Sequence, residues 1–361
     1  MKPELEKLCT EFTASRDAVK AAFRWDNKVL HSVCANIFCA NGRTADTDRL
    51  KECRGVIKSR TKLFSDFRKG RIRPLLASML ALGEKPEDRM DLANEYYSLL
   101  KRNFKKSEFL VLAAILLTDL QGKTLTEETA ARGKELFRRM NKQHRILTNK
   151  ADSVFSMLLA FSEKTDDELL EDVEACYRAL KARFSSSGDA QTAAQILSVA
   201  PGAPEEKAKR VIELYDALLE AKVKYGRARE LAPLAALSLA DTAVPVLVEE
   251  IREADEFLGT GKYYGSKDEE LNQRAIHAVM IVSDQYAGTD SVNATVMTNT
   301  LEMLISQQQA ARVSMFIHGL EFLGQILSGF SKHDKKDADT AADTDSSGSQ
   351  STDTDTAGKP E

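Results

Sequence analysis

Paired cysteines, metal-binding histidine motifs and phosphate-cradling glycine loops are all missing from this chain, and each absence removes a class of function. The five cysteines, Cys9, Cys34, Cys39, Cys53 and Cys176, contain no CxxC pair. Zinc sites usually draw ligands two to four residues apart, so these read as reduced thiols and no metal is expected. The histidines His31, His144, His277, His318 and His333 form no HExxH or HxE pattern. No Walker loop, dinucleotide fingerprint or nucleophile elbow occurs. The glycine-rich GTGKYYG at 259–265 lacks Walker spacing and reads as a linker. No cofactor is expected, and the chain leans away from enzymes. Aromatic residues amount to 7%, with one tryptophan, Trp25, and there are only 8 prolines in 361 residues. Strand-like alternation is absent throughout, so helix is favoured over sheet.

Charge excludes a further class. The net charge of −4 resides in the segment from Ser331 onward, which holds eight acids and four bases. Setting these aside from totals of 55 and 51 leaves 47 acids and 47 bases in residues 1–330. A neutral body argues against a general nucleic-acid binder. Residues 331–361, rich in Asp, Thr, Ser and Gly, bury too little apolar surface to offset ordering entropy and are expected to be disordered. The charged start MKPELEKLCTEFTASRD has no apolar signal core, which leads to an expectation of a cytoplasmic protein.

A repeat is present. Tyr97 and Tyr177 lie 80 residues apart, as do Leu100 and Leu180, Lys101 and Lys181, and Phe104 and Phe184. Cys34, Ala114 and Ala194 keep the same spacing, and Leu82, Phe161 and Leu239 close similar segments 79 and 78 apart. Each unit reads as four helices, two hairpins of about 40 residues each. In the second unit the helices are expected at 108–119, 126–143, 151–161 and 166–184. The first and third are alanine- and leucine-rich and suited to burial. The second and fourth carry a single apolar stripe, with their openings at Thr126 and Asp166. The organisation expected is a helical cap at 1–28, units at 29–108, 109–189 and 190–273, a partial fourth unit with closing helices at 274–330, and the tail at 331–361. The fold class is all-α, a helical-hairpin repeat forming either an α-solenoid or a closed helical toroid.

The segments FSDFRKG (64–70), HRILTNKAD (144–152) and QQQAARVSM (307–315) resemble an uncharacterised bacterial family, domain of unknown function number four thousand and three. The resemblance covers nearly all of residues 1–320. It implies an all-helical fold and a bacterial, cytoplasmic setting, and carries over no activity and no site residue.

Four constellations merit chemistry. Bases gather where the second helix of a unit passes into the third: Lys58, Arg60, Lys62, Arg68, Lys69, Arg71 and Arg73, then Arg138, Arg139, Lys142, Arg145 and Lys150, then Lys222, Lys224, Arg227 and Arg229. Acids gather at the start of the fourth. Stacked units would align the bases as a ridge able to dock an anionic partner. Complementing helix dipoles is the simpler account. His144, Thr148 and Asp152 could form a proton-transfer set, although Thr148 also suits a helix cap. TDDELLED (165–172) places Leu170 where a metal-binding acidic motif needs its last acid. The closing helix 312–330 carries a narrow polar stripe, Ser314, His318, Glu321, Gln325 and Ser328, on an apolar body. It reads as a cap or as a homo-oligomer interface, and it barely reaches membrane-spanning length.

The function expected is a non-enzymatic interaction or scaffold protein. Its partner is expected to be a protein, with an anionic one lying along the ridge and with nucleic acid and membrane disfavoured. The alternative is an all-helical enzyme or small-molecule binder with a pocket on the concave face.

Overall fold

The computed structural model describes residues 1–286 apart from 25–27, 69–71, 121, 145–151, 199, 226–230 and 262, and the closing helix 312–330 and the tail fall outside the described residues. The described residues form fourteen α-helices and no strand. These are α1 Pro3–Ala22, α2 Lys28–Cys39, α3 Thr47–Ser59, α4 Ile72–Leu82, α5 Pro86–Asn103, α6 Glu108–Leu117, α7 Glu127–Gln143, α8 Asp152–Leu159, α9 Asp166–Arg183, α10 Ser187–Ser198, α11 Pro204–Glu220, α12 Leu231–Ser238, α13 Val244–Thr260 and α14 Asp268–Tyr286. The protein is therefore all-helical. The four helices of the second unit lie within two residues of the expected bounds.

Two kinds of helix alternate, and composition decides which is which. In α6 every residue from Leu110 to Leu117 is buried, and α8 and α12 are buried along their whole length. The odd-numbered helices bury one stripe only. In α7 it is Ala130, Gly133, Leu136 and Met140, and in α3 it is Leu50, Cys53, Val56 and Ile57. Spacings of three and four residues place such side chains on one face, and the charged remainder meets water. Gly133 marks a close approach, because a Cβ there would meet Met157 of α8.

Local chemistry sets the helix starts. The side chains of Asp46, Ser107 and Thr126 accept backbone N–H bonds at the openings of α3, α6 and α7. For α9 the cap is Thr165, one residue ahead of the expected Asp166. Thr165 and Glu168 form a capping box, because a hydroxyl reaches the third amide while the glutamate reaches back. Proline opens α1, α5, α11 and α13, where a missing N–H costs nothing.

Each odd helix packs tightly on the even helix that follows it, giving seven hairpins, α1 with α2 through α13 with α14. The tight pairs thus straddle the 80-residue frame read from the sequence. Helix α1, expected as an end cap, is the first member of the first hairpin. Even helices also pack on even neighbours: α2 on α4, α4 on α6, α6 on α8, α10 on α12 and α12 on α14. Helix α14 further contacts α2, and α1 contacts α13 and α14. At that contact the N-terminal ammonium meets Glu253 at 2.6 Å and Lys2 meets Glu250 at 2.6 Å. Phe12 lies 5.6 Å from the His277 ring, and the Arg16 guanidinium stacks 4.0 Å over Tyr263.

Candidate functional site

Because every hairpin reverses the chain, all connections from odd to even helices leave the same end of the helix pairs. Their lengths alternate. Those after α3, α7 and α11 span 12, 8 and 10 residues, whereas those after α1, α5, α9 and α13 span 5, 4, 3 and 7. The three basic clusters of the sequence fall on the three long connections and the helix ends beside them, with Arg138, Arg139 and Lys142 on the last turns of α7.

The first of these is the best described. Arg68 closes a single 3-10 turn at Asp66–Arg68 and donates to the carbonyls of Lys58 and Thr61 and, at 2.9 Å, to the Thr61 hydroxyl. It therefore holds the C-terminus of α3 in place of missing intrahelical donors. Phe67 is fully buried, edge-on to Tyr97 at 5.3 Å, and the Tyr97 hydroxyl donates to Asp66 at 2.5 Å. Burial, then Asp66, pushes the Tyr97 phenol above its ordinary range. On this anchored base the loop lifts Leu63 and Phe64 into solvent, 71% and 90% exposed. Lys58, Lys62 and Arg73 are exposed beside it, while Lys69 and Arg71 lie outside the described residues.

Beside the second long connection, two ridge residues on α7 have acidic partners of their own. Arg138 meets Glu135 of its own helix at 2.6 Å, and Arg139 meets Asp167 at the start of α9. Arg145 lies outside the described residues. His144 ends α7, where its Nε2 meets Glu174 of α9 at 2.7 Å and its ring stacks 4.7 Å from Tyr177. Asp152 is buried at the head of α8 and accepts from Gln195 Nε2 of α10 at 3.0 Å. The structure thus joins His144 to Glu174 and Asp152 to Gln195; Thr148 lies outside the described residues. In the third connection Lys222 and Lys224 are exposed, and Arg227 and Arg229 lie outside the described residues.

Four of the five acids of TDDELLED have partners as well. Asp166 accepts from Arg132 at 2.8 Å, Asp167 meets Arg139, Glu168 completes the capping box and Asp172 holds Lys164 at 2.6 Å. The same pattern links other odd helices, with Arg60 to Asp91, Arg102 to Glu127 and Arg183 to Asp216. Of the bases and acids that the sequence suggests as separate ridges, Arg60 with Asp91 and Arg139 with Asp167 pair across consecutive hairpins.

A further column escaped the sequence reading. Arg49, Arg89, Arg132 and Arg210, in the first half of α3, α5, α7 and α11, reach the turn that ends their hairpin's even helix. Arg49 donates to Gly83 O at 2.7 Å. Arg89 binds the Thr118 hydroxyl at 3.1 Å and Asp119. Arg132 donates to the carbonyls of Ala160, Ser162 and Lys164 at 3.0, 2.7 and 2.6 Å. Arg210 donates to those of Ser238, Ala240 and Thr242. In α9 the corresponding position is Asp172, which holds Lys164 while that ammonium donates to Ser198 O at 2.8 Å. The steps of 40, 43, 40 and 38 residues were the available signal. Gly42, Gly122 and Gly202 form a second such column, 80 apart and all at positive φ after α2, α6 and α10.

Chemistry in the interior is muted. All five cysteines are buried and none is in a disulfide, and burial pushes the thiols of Cys9 to about 12 and of Cys53 and Cys176 to about 11. Burial and then Arg16 hold His277 near 3, so its imidazole is neutral, and its Nδ1 lies 2.5 Å from the Tyr264 hydroxyl. Among the described residues no three His, Cys, Asp or Glu side chains gather as a metal site, and no helix is long and apolar enough to cross a membrane.

Comparison with the curated proteins and with the solved structures finds no match. Residues 17–310 match the family described as Protein of unknown function (DUF4003), and the chain belongs to that family.

Proposed function

We propose that this protein is a non-enzymatic interaction scaffold, a closed toroid whose described residues make seven helical hairpins, that docks an anionic partner at the end bearing its long loops. The observation that carries the reading is that the three longest odd-to-even connections, those after α3, α7 and α11, are all basic. Contacts of α1 with α13 and α14, and of α14 with α2, support closure. A rigid frame suits such a role, because it presents loops without an ordering cost at binding. Three 80-residue units remain the natural division of the chain, each contributing one long basic loop, and a cytoplasmic setting accords with the family resemblance.

The test uses exposed lysines of the long connections. Full-length protein and a variant carrying Lys62→Glu and Lys224→Glu are immobilised and exposed to lysate, after circular dichroism has shown equal folding. A component held by the native protein and released by the variant is expected. Equal retention by both, or none by either, would sink the reading.

One observation favours a small-ligand alternative. Gln191 and Gln195 lie one turn apart on α10, both buried, and their amide oxygens have no hydrogen-bond partner although Asp152 is adjacent to Gln195. Buried unpaired acceptors are costly, and a bound donor would satisfy them. Retention of a metabolite by Gln195→Leu protein at native level would remove this alternative.

A further inference from the structure

We infer that Leu63 and Phe64 are a membrane-surface anchor, inserted into the headgroup boundary of an anionic bilayer while Lys58 and Lys62 face its phosphates. The inference rests on the reading of the long-loop end as the docking end, and names the partner there.

Three observations carry it. The first is exposure: two adjacent bulky apolar side chains stand 71% and 90% in water, whereas Phe67, three residues on, is fully buried. Single exposed apolar residues are ordinary, but a contiguous pair at a loop tip is a contact surface. The second is stiffness. Arg68 ties the Lys58 and Thr61 carbonyls together, Thr61 is itself buried, and Tyr97 holds Asp66, so the tip cannot fold back to hide its apolar pair without breaking these bonds. The third is charge. Lys58 and Lys62 flank the tip, and no carboxylate among the described residues pairs with either. An exposed apolar pair with two ammonium groups nearby in the chain complements a deformable apolar layer beneath an anionic surface. A protein partner would instead need a preformed acidic-rimmed groove. The sequence expectation against a membrane concerned the span of residues 312–330, and a surface anchor requires no span.

The experiment is co-sedimentation of the full chain with phosphatidylcholine vesicles, with and without phosphatidylserine. Native protein should sediment with the serine-lipid vesicles alone. Phe64→Ala should weaken that partition roughly tenfold or more, and Lys58→Glu with Lys62→Glu by about fivefold per lysine or more. Both sites are exposed, and unchanged thermal melting confirms folding. Phe64→Trp should shift its emission to the blue on vesicle contact. Absence of native binding to serine-lipid vesicles, or binding indifferent to Phe64→Ala, overturns the anchor. If vesicles fail while the lysate test still yields a component that Phe64→Ala releases, the occupant is a protein groove and only the docking reading survives. If the lysate test fails while vesicles bind, the anchor stands without the scaffold.

Discussion

His277 shows how one side chain records its surroundings. It sits on α14 against Phe12 of α1, bonded to Tyr264, in a place where burial and the Arg16 charge hold it neutral near 3 against an ordinary 6.5. The unfolded chain therefore binds a proton between those values that the folded chain refuses. The stability contribution is complete above pH 6.5 and is lost as pH falls towards 3. Urea midpoints measured at pH 7 and pH 5 should fall more for native protein than for His277→Gln; parallel loss in both would place the sensitivity elsewhere. Nothing in the sequence marks this histidine, because its character comes from residues 265 and 261 positions away, Phe12 and Arg16. His144 is the opposite case. Its sequence neighbours Thr148 and Asp152 drew attention, yet its partner Glu174 comes from the next odd helix, 30 residues on.

At the scale of elements, the arginine column does the work of C-caps. The last carbonyls of an even helix have no intrahelical donors, and they lie where the chain turns towards the next odd helix. A guanidinium has five N–H donors in a planar fork, enough for three carbonyls at once, as Arg132 shows. Arg132→Met should cost roughly 1–3 kcal/mol in urea unfolding, while Arg138→Met, which breaks an exposed pair within one helix, should cost less than about 1 kcal/mol. Equal effects would show that the carbonyl contacts contribute little. Helix positions and types were legible in the sequence because period and composition are local: α6 reads as LVLAAILL, α7 as a stripe at 130, 133, 136 and 140. Hairpin partners were less so. The sequence frame begins a unit at α2, but α2 packs on α1, since three- or four-residue links such as 104–107 and 184–186 force tight antiparallel pairs. The fate of the charges was hidden for the same reason, because Arg139 and Asp167 meet only when two hairpins stack.

At the scale of the whole molecule, the proposed closure makes a claim about how damage spreads. In an open array each repeat depends on its neighbours alone, so a lesson taught at one end stays there. Phe12→Ala empties a fully buried site between α1 and α14 and should cost about 3–5 kcal/mol. Hydrogen exchange in that variant should quicken in α13 and α14 as well as in α1 and α2; acceleration confined to α1 to α3 would favour an open solenoid. There is also a matter of parity. Long and short connections alternate clearly along the first six of the seven described hairpins, and the seventh, with 7 residues between α13 and α14, stands between the two classes. A two-colour pattern cannot close on a cycle with an odd number of members, and in the proposed ring of these seven it breaks where the seventh hairpin meets the first. Copying a two-hairpin unit can furnish every other junction, since each joins unlike neighbours, but it has no template for this one. The junction of Phe12, Arg16, Tyr263, Tyr264 and His277 is in that sense a mismatch that the chain had to resolve with residues of its own.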